Sequence, residues 1–191
     1  VETSTMHSWI TGWWRRMFRA APPSMPDDAW AHDWQAMLKQ FAMSSQRVGG
    51  NAHWGHLIID EGQDFPRDMY TTLNLISNLA QVGPADSKPA ITVFADENQR
   101  MKPGANSTIE DVATALALGH ARRYSLKKNY RNSRQIAEFA KTFYVGLPSG
   151  VPDIPSRMGR TKPKVVFASS FEVIRRRITV HAANNPGQDI G

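Results

Sequence analysis

The stretch His56-Leu-Ile-Ile-Asp-Glu-Gly-Gln-Asp-Phe65 sets an apolar run, Leu57 to Ile59, directly against two carboxylates. A short apolar run bounded by turn residues reads as a buried strand. In open α/β sheets ligands collect at the carboxyl ends of the strands, which is where Asp60 and Glu61 fall. Mg²⁺ keeps several waters and binds through one or two carboxylates together with substrate phosphates, which makes Asp60 a candidate ligand. Glu61 points differently and is the candidate for orienting or deprotonating an attacking water, because phosphoryl transfer rests on positioning and charge neutralisation. Taken alone, these residues also allow a plainer reading, in which Asp-Glu ends a strand and caps a helix starting near Pro66.

Working outward, further strand-like runs occur at Ile91 to Ala95 and Arg123 to Leu126, and helices are predicted near 66–82, 107–118 and 132–145. Short β-rich runs separated by helices predict an α/β sheet with crossover helices and mainly parallel strands. Asp96, Glu97 and Gln99 follow the second run as Asp60 and Glu61 follow the first. Beyond these, Gly146 to Pro163 reads as a long loop, and Lys164 to Ala168 and Phe171 to Ala183 read as a further strand and helix. Upstream, residues 5–19 carry Trp9, Ile10, Trp13, Trp14, Met17 and Phe18 at helical spacing, with Thr5 or Ser8 as cap. Pro22, Pro23 and Pro26 interrupt it, and Asp27 or Asp28 is expected to open a second helix carrying Trp30, Trp34, Met37, Leu38 and Phe41. The tryptophans at helical spacing are expected in the core; Trp14, beside Arg15 and Arg16, is the one candidate for stacking on a nucleic-acid base.

The 191 residues contain no cysteine, which excludes disulfides, zinc-thiolate sites and thiol nucleophiles. No apolar run approaches a membrane span and residues 1–8 lack the pattern of a signal peptide, so the chain reads as soluble and cytoplasmic, with no membrane partner. Lys and Arg number 23 against 17 Asp and Glu, a net +6 that is compatible with a polyanionic partner but too modest and too dispersed to identify one. His53 and His56 find no third ligand at metal-binding spacing.

Four segments, in order, resemble the motifs of UvrD/Rep-type superfamily 1 DNA helicases and together span most of the chain. Thr5-Met-His-Ser8 resembles the Thr-Phe-His-Ser element, and Asp60-Glu-Gly-Gln-Asp-Phe65 resembles motif II, the Walker B element with the form Asp-Glu-x-Gln-Asp. Val93-Phe-Ala-Asp-Glu-Asn-Gln99 resembles motif III, and Tyr124-Ser-Leu-Lys-Lys-Asn-Tyr-Arg-Asn-Ser133 resembles motif IV. The resemblance implies a RecA-like P-loop NTPase lobe with a mainly parallel sheet over residues 1–120, and the start of a second RecA-like lobe over 121–191. It implies ATP and Mg²⁺ as cofactors, with Asp60 holding the metal and Glu61 activating water. Gln63 would couple the phosphate site to the nucleic-acid side, Gln99 would sense the terminal phosphate, Tyr130 would stack on adenine, and Arg131 would act as an arginine finger. DNA, single-stranded or at a junction, is the implied partner, RNA a further one, and His7, Arg100 and Lys102 are candidate nucleic-acid contacts.

Two departures bear on that reading. No segment carries the phosphate-cradling Gly-x-x-x-x-Gly-Lys-[Ser/Thr] loop; Gly50 and Gly55 have the glycine spacing, but His56 follows. The expectation is therefore an internal piece of a longer polypeptide, downstream of that loop and upstream of motifs V and VI, whose remaining parts are its partners and without which it does not hydrolyse ATP. After Gln99 the chain runs Arg100-Met-Lys-Pro-Gly104 without the aromatic that many such helicases use to stack on bases, a contact worth roughly 1–3 kcal/mol. An NTPase of a repair or defence system that unwinds little, and a non-catalytic nucleotide- or nucleic-acid-binding module, stand as the competing readings.

Overall fold

Thr5 starts the first helix: its hydroxyl oxygen accepts the Ser8 N–H at 3.3 Å, satisfying one of the donors a helix start leaves free. Helix α1, Met6–Phe18, ends at Arg19 in the left-handed conformation, with Arg15 and Arg16 in the last turn facing the negative end of the helix dipole. Ile10, Trp13, Trp14 and Met17 form its buried stripe. Trp14 is fully buried and stacks on Phe18 with ring centroids 4.3 Å apart, so it is a core residue and no base-stacking platform.

The expected helix from Asp27 or Asp28 does not form. Pro22 and Pro23 are followed by a small antiparallel hairpin, β1 Ser24–Met25 and β2 Asp28–His32, with Pro26 in its turn, in which the Asp28 carboxylate accepts the Trp30 N–H at 2.9 Å. Trp30 is consequently 80% exposed and contributes nothing to the core. Asp33 is the residue that opens the next helix, its carboxylate accepting the Ala36 N–H at 2.9 Å. Helix α2, Trp34–Val48, buries Met37 and Phe41 of the expected stripe, and Val48 beyond it.

Strands β3, His56–Ile59, and β4, Ala90–Val93, pair in parallel with Ile59 opposite Val93, and helix α3, Arg67–Leu79, is the crossover between them. β3 is only partly buried, not the buried strand expected: Ile59 is inside but Ile58 is 57% exposed. Helix α4, Ile109–Ala115, begins with a capping box between Thr108 and Asp111. Tyr70, Leu73 and Ile76 of α3 complete a core with Trp13, Trp14 and Phe41.

The computed structural model describes residues 2–80, 88–100, 106–147, 150–151, 153–159 and 162–187. The chain divides into two compact units, one of Val1–Leu126 with Val145–Gly150 and one of Lys127–Tyr144 with Val151–Gly191. In the second unit, helices α5, Arg134–Lys141, and α6, Phe171–Asn184, form where expected. The strands expected at 123–126, in the first unit, and at 164–168, in the second, do not form, and Tyr124, Leu126, Val165 and Phe167 are exposed. A strand holds only when a neighbour completes its ladder; near these runs the described residues supply a single bridge, Lys128 to Asp153. The parallel sheet among the described residues is therefore one pair of strands, less than the mainly parallel RecA-like sheet that the resemblance implies. No described helix is long and apolar enough to cross a membrane.

Candidate functional site

The ends of β3 and β4 are stitched by backbone: Phe94 N–H donates to the Ile59 carbonyl at 2.8 Å, and Gly62 N–H donates to the Phe94 carbonyl at 2.8 Å. Between them the chain turns sharply at Glu61, which adopts the left-handed conformation (φ 51°, ψ 42°), uncommon for a residue with a side chain. Glycine is required next, because a Cβ at Gly62 would lie 2.2 Å from Val93 Cγ1 and 3.2 Å from the Phe94 carbonyl oxygen. The Tyr70 phenol closes this turn by donating to the Gly62 carbonyl at 2.6 Å. Burial, reinforced by the charge of Asp64, raises the Tyr70 pKa and so keeps the hydroxyl a donor.

The plainer reading of Asp60-Glu61 as a helix cap fails, since α3 starts after Pro66 and no side chain caps it. Asp60 stands exposed at the strand end; its Oδ1 accepts the Glu61 N–H at 3.0 Å, and Oδ2 has no hydrogen bond among the described residues. An exposed carboxylate with an open oxygen fits Mg²⁺ held partly by nucleotide phosphates and water. Among the described residues no three His, Asp or Glu side chains gather into a ligand set, so a metal held by Asp60 would take its other ligands from beyond them.

Gln63 lies beneath the carboxylates and is only 1% exposed. Its Nε2 donates to Glu61 Oε2 at 2.8 Å, and its Oε1 accepts the Asp96 N–H at 3.0 Å. Asp96 in turn caps a single 3-10 turn, Glu97–Gln99, with Oδ1 accepting the Asn98 N–H at 3.0 Å and Oδ2 accepting Gln99 Nε2 at 3.1 Å. Partial burial opposes ionisation of Asp96, but the bonds from Gln99 and Asn98 outweigh it and hold its pKa below the usual carboxylate value. Asp60, Glu61, Gln63 and Gln99 are thus brought into one network through Asp96, a residue to which the sequence assigned a strand end and a place in the segment resembling motif III but no role.

The remaining candidates lie elsewhere. His7 stacks on His32 at 4.6 Å and tilts toward Trp30 at 5.6 Å, so its ring contacts are with the β1–β2 hairpin. Arg100 lines a hollow of about 330 Å³ together with Arg67, Asp68, Asn106, Ser107 and Asp111. Among the described residues two arginines and two aspartates line it, a balanced set of charges. Lys102 lies outside the described residues.

Tyr130 and Arg131 belong to the second unit. Tyr130 is 75% exposed, with Lys128 Nζ 5.0 Å from its ring centroid, a cation–π arrangement. Asn129 Oδ1 accepts the N–H groups of both Arg131 and Asn132 at 3.1 Å, and Arg157 donates to the Arg131 carbonyl at 2.9 Å. This fixes the backbone while the Arg131 guanidinium makes no hydrogen bond or ion pair among the described residues. At the start of α5, Arg134 pairs with Glu138 at 2.8 Å.

The chain matches no protein-family model, no curated protein and no solved structure.

Proposed function

We propose that this chain is part of an ATP-dependent DNA helicase or translocase of the UvrD/Rep type, supplying the water-activating side of its ATP cleft. The observation that carries the reading is the hydrogen-bonded path from Glu61 through Gln63 to Asp96 and Gln99, which joins two segments 33 residues apart that resemble motifs II and III. A strand that merely ended in acids would have no use for a buried glutamine bridging it to the next one. Asp60 would hold Mg²⁺, which when bound neutralises phosphate charge; Glu61 would orient and deprotonate the attacking water. Tyr130 offers an exposed ring for the base of ATP, and Arg131 a guanidinium unpaired among the described residues, whose planar fork suits phosphate oxygens.

DNA-stimulated ATP hydrolysis, measured in a polypeptide that carries both this chain and a phosphate-cradling loop, tests the proposal. Glu61→Gln should leave ATP binding nearly intact and lower turnover by about 10²- to 10⁴-fold, the range for losing a positioned base. Normal turnover in that variant would end the assignment. The run Arg100-Met-Lys-Pro-Gly104, without an aromatic, favours as a second reading an NTPase that unwinds little, and strand displacement measured beside hydrolysis separates the two.

A further inference from the structure

Hydrogen-bond polarity fixes more of this site than the residues thought to touch nucleotide. The Asp96 N–H can only donate, so the Gln63 atom facing it must be the amide oxygen, and the amide NH₂ must face Glu61. Glu61 Oε2 is therefore committed as an acceptor, and Oε1 is the oxygen left for a water proton. At the other end of the same residue, the Asp96 carboxylate only accepts, which turns the NH₂ of Gln99 toward it. The Oδ1 atom of Asp96 is already occupied by the Asn98 N–H at 3.0 Å and Asn98 Nδ2 at 3.1 Å, so Oδ2 alone holds Gln99.

We propose that Asp96 is the positioning residue of the site: its backbone N–H orients Gln63 and thereby Glu61, and its carboxylate orients Gln99, so that the two active side chains are set from one residue. This rests on the hydrolytic reading of Glu61 and Gln99 given above, and it adds a division of labour within Asp96. The side chain governs Gln99 only, whereas the backbone governs Glu61. A substitution at 96 that retains the N–H therefore releases one arm and spares the other.

The test has two arms. In the 191-residue chain, Asp96→Ala should move the side-chain NH₂ resonances of Gln99 to solvent-exposed positions in an amide ¹H–¹⁵N spectrum while leaving those of buried Gln63 in place. Asp96→Asn keeps one acceptor oxygen for two groups of donors and should give an intermediate shift of Gln99. In the hydrolysing polypeptide, Asp96→Ala should lower kcat by about 10- to 100-fold, the scale for misplacing a reacting group, with KM for ATP little changed and Asp96→Asn between it and the parent. Gln99 resonances that stay put, Gln63 resonances that move with them, or an unchanged kcat would each overturn the proposal. If the parent polypeptide hydrolyses no ATP, the helicase reading falls by itself, and the spectra of the 191-residue chain still decide whether Asp96 sets the two glutamines.

Discussion

The two units contain similar apolar side chains and treat them in opposite ways. In the first, Trp13, Trp14, Phe41 and Tyr70 are wholly enclosed. In the second, Phe167 is 94% exposed, Phe143 and Phe171 also face outward, and Ser133 is the only buried side chain among the described residues. Helical periodicity does not explain the difference, because Ile136 and Phe139 of α5 repeat the three-residue spacing of Ile10 and Trp13 in α1. The first unit has a second layer: α1, α2 and α3 gather round a strand pair and cover one another. Apolar area stabilises only when it leaves water, at about 25 cal/mol per Å², so identical residue types contribute kilocalories in one unit and almost nothing in the other.

The largest expected effect tests that contrast directly. Trp14→Ala should destabilise the first unit by about 3–5 kcal/mol, the range for removing a buried large aromatic, whereas Phe167→Ala should change stability by no more than about 0.5 kcal/mol. All six tryptophans lie in the first unit, so their fluorescence in urea reports that unit alone and circular dichroism reports both. A loss from Phe167→Ala comparable to that from Trp14→Ala would mean that the second unit has a packed interior, and the comparison would break.

A glycine in each unit sharpens it. Gly62→Ala drives a methyl into Val93 Cγ1 and the Phe94 carbonyl, which are held by the strand pair, and should destabilise by about 1–3 kcal/mol. Gly159→Ala meets the Ser133 hydroxyl at 2.7 Å, a neighbour outside any packed layer. It should instead open the pairing of Gly159 with Gln135 locally, seen as faster hydrogen exchange at the Gly159 amide with little change in the unfolding midpoint.

How much is legible in the sequence depends on how local each signal is. Helix α1 could be read because its cap and its stripe are local. The second helix was misplaced because Trp30, Trp34 and Met37 have helical spacing, yet the turn at Asp28 and the prolines before it make Trp30 part of a hairpin. The runs at 123–126 and 164–168 have strand composition, but a strand depends on a partner that composition does not reveal. At the site, Asp60, Glu61 and Gln99 could be named from strand-end position and resemblance. The role of Asp96 could not, since it depends on which amide end of a buried glutamine faces which neighbour across 33 residues.

A smaller contrast separates two helix starts. Thr108 and Asp111 hydrogen-bond reciprocally at the start of α4, whereas Ser133 at the start of α5 makes no capping bond. Thr108→Ala should cost about 1 kcal/mol and Ser133→Ala only a few tenths. The bonds from Thr108, aided by the charges of Arg67 and Arg100, lower the Asp111 pKa. Its contribution is therefore present above the unfolded value of about 4 and is lost as pH falls through the lower folded value. The midpoint of the Thr108→Ala variant should accordingly vary less between pH 5 and pH 3 than that of the parent.

The smallest effect concerns a single ring in the first unit. Burial lowers the His32 pKa, and the stacked ring of His7 lowers it further; Nε2 of His32 is buried without a hydrogen-bond partner among the described residues. In the unfolded chain a histidine takes up its proton near pH 6.5, so below that value the unfolded state binds more protons than the folded one. The first unit should hold its full stability above about pH 6.5 and lose a part as pH falls through the lower folded value of His32. His32→Phe keeps an aromatic ring against His7 and Trp34 but cannot take up a proton, so it should flatten the dependence of the tryptophan-detected urea midpoint between pH 7 and pH 5. An unchanged slope would mean that the hairpin opens freely enough to hydrate His32, and that the enclosure separating the first unit from the second stops at α1 and α2.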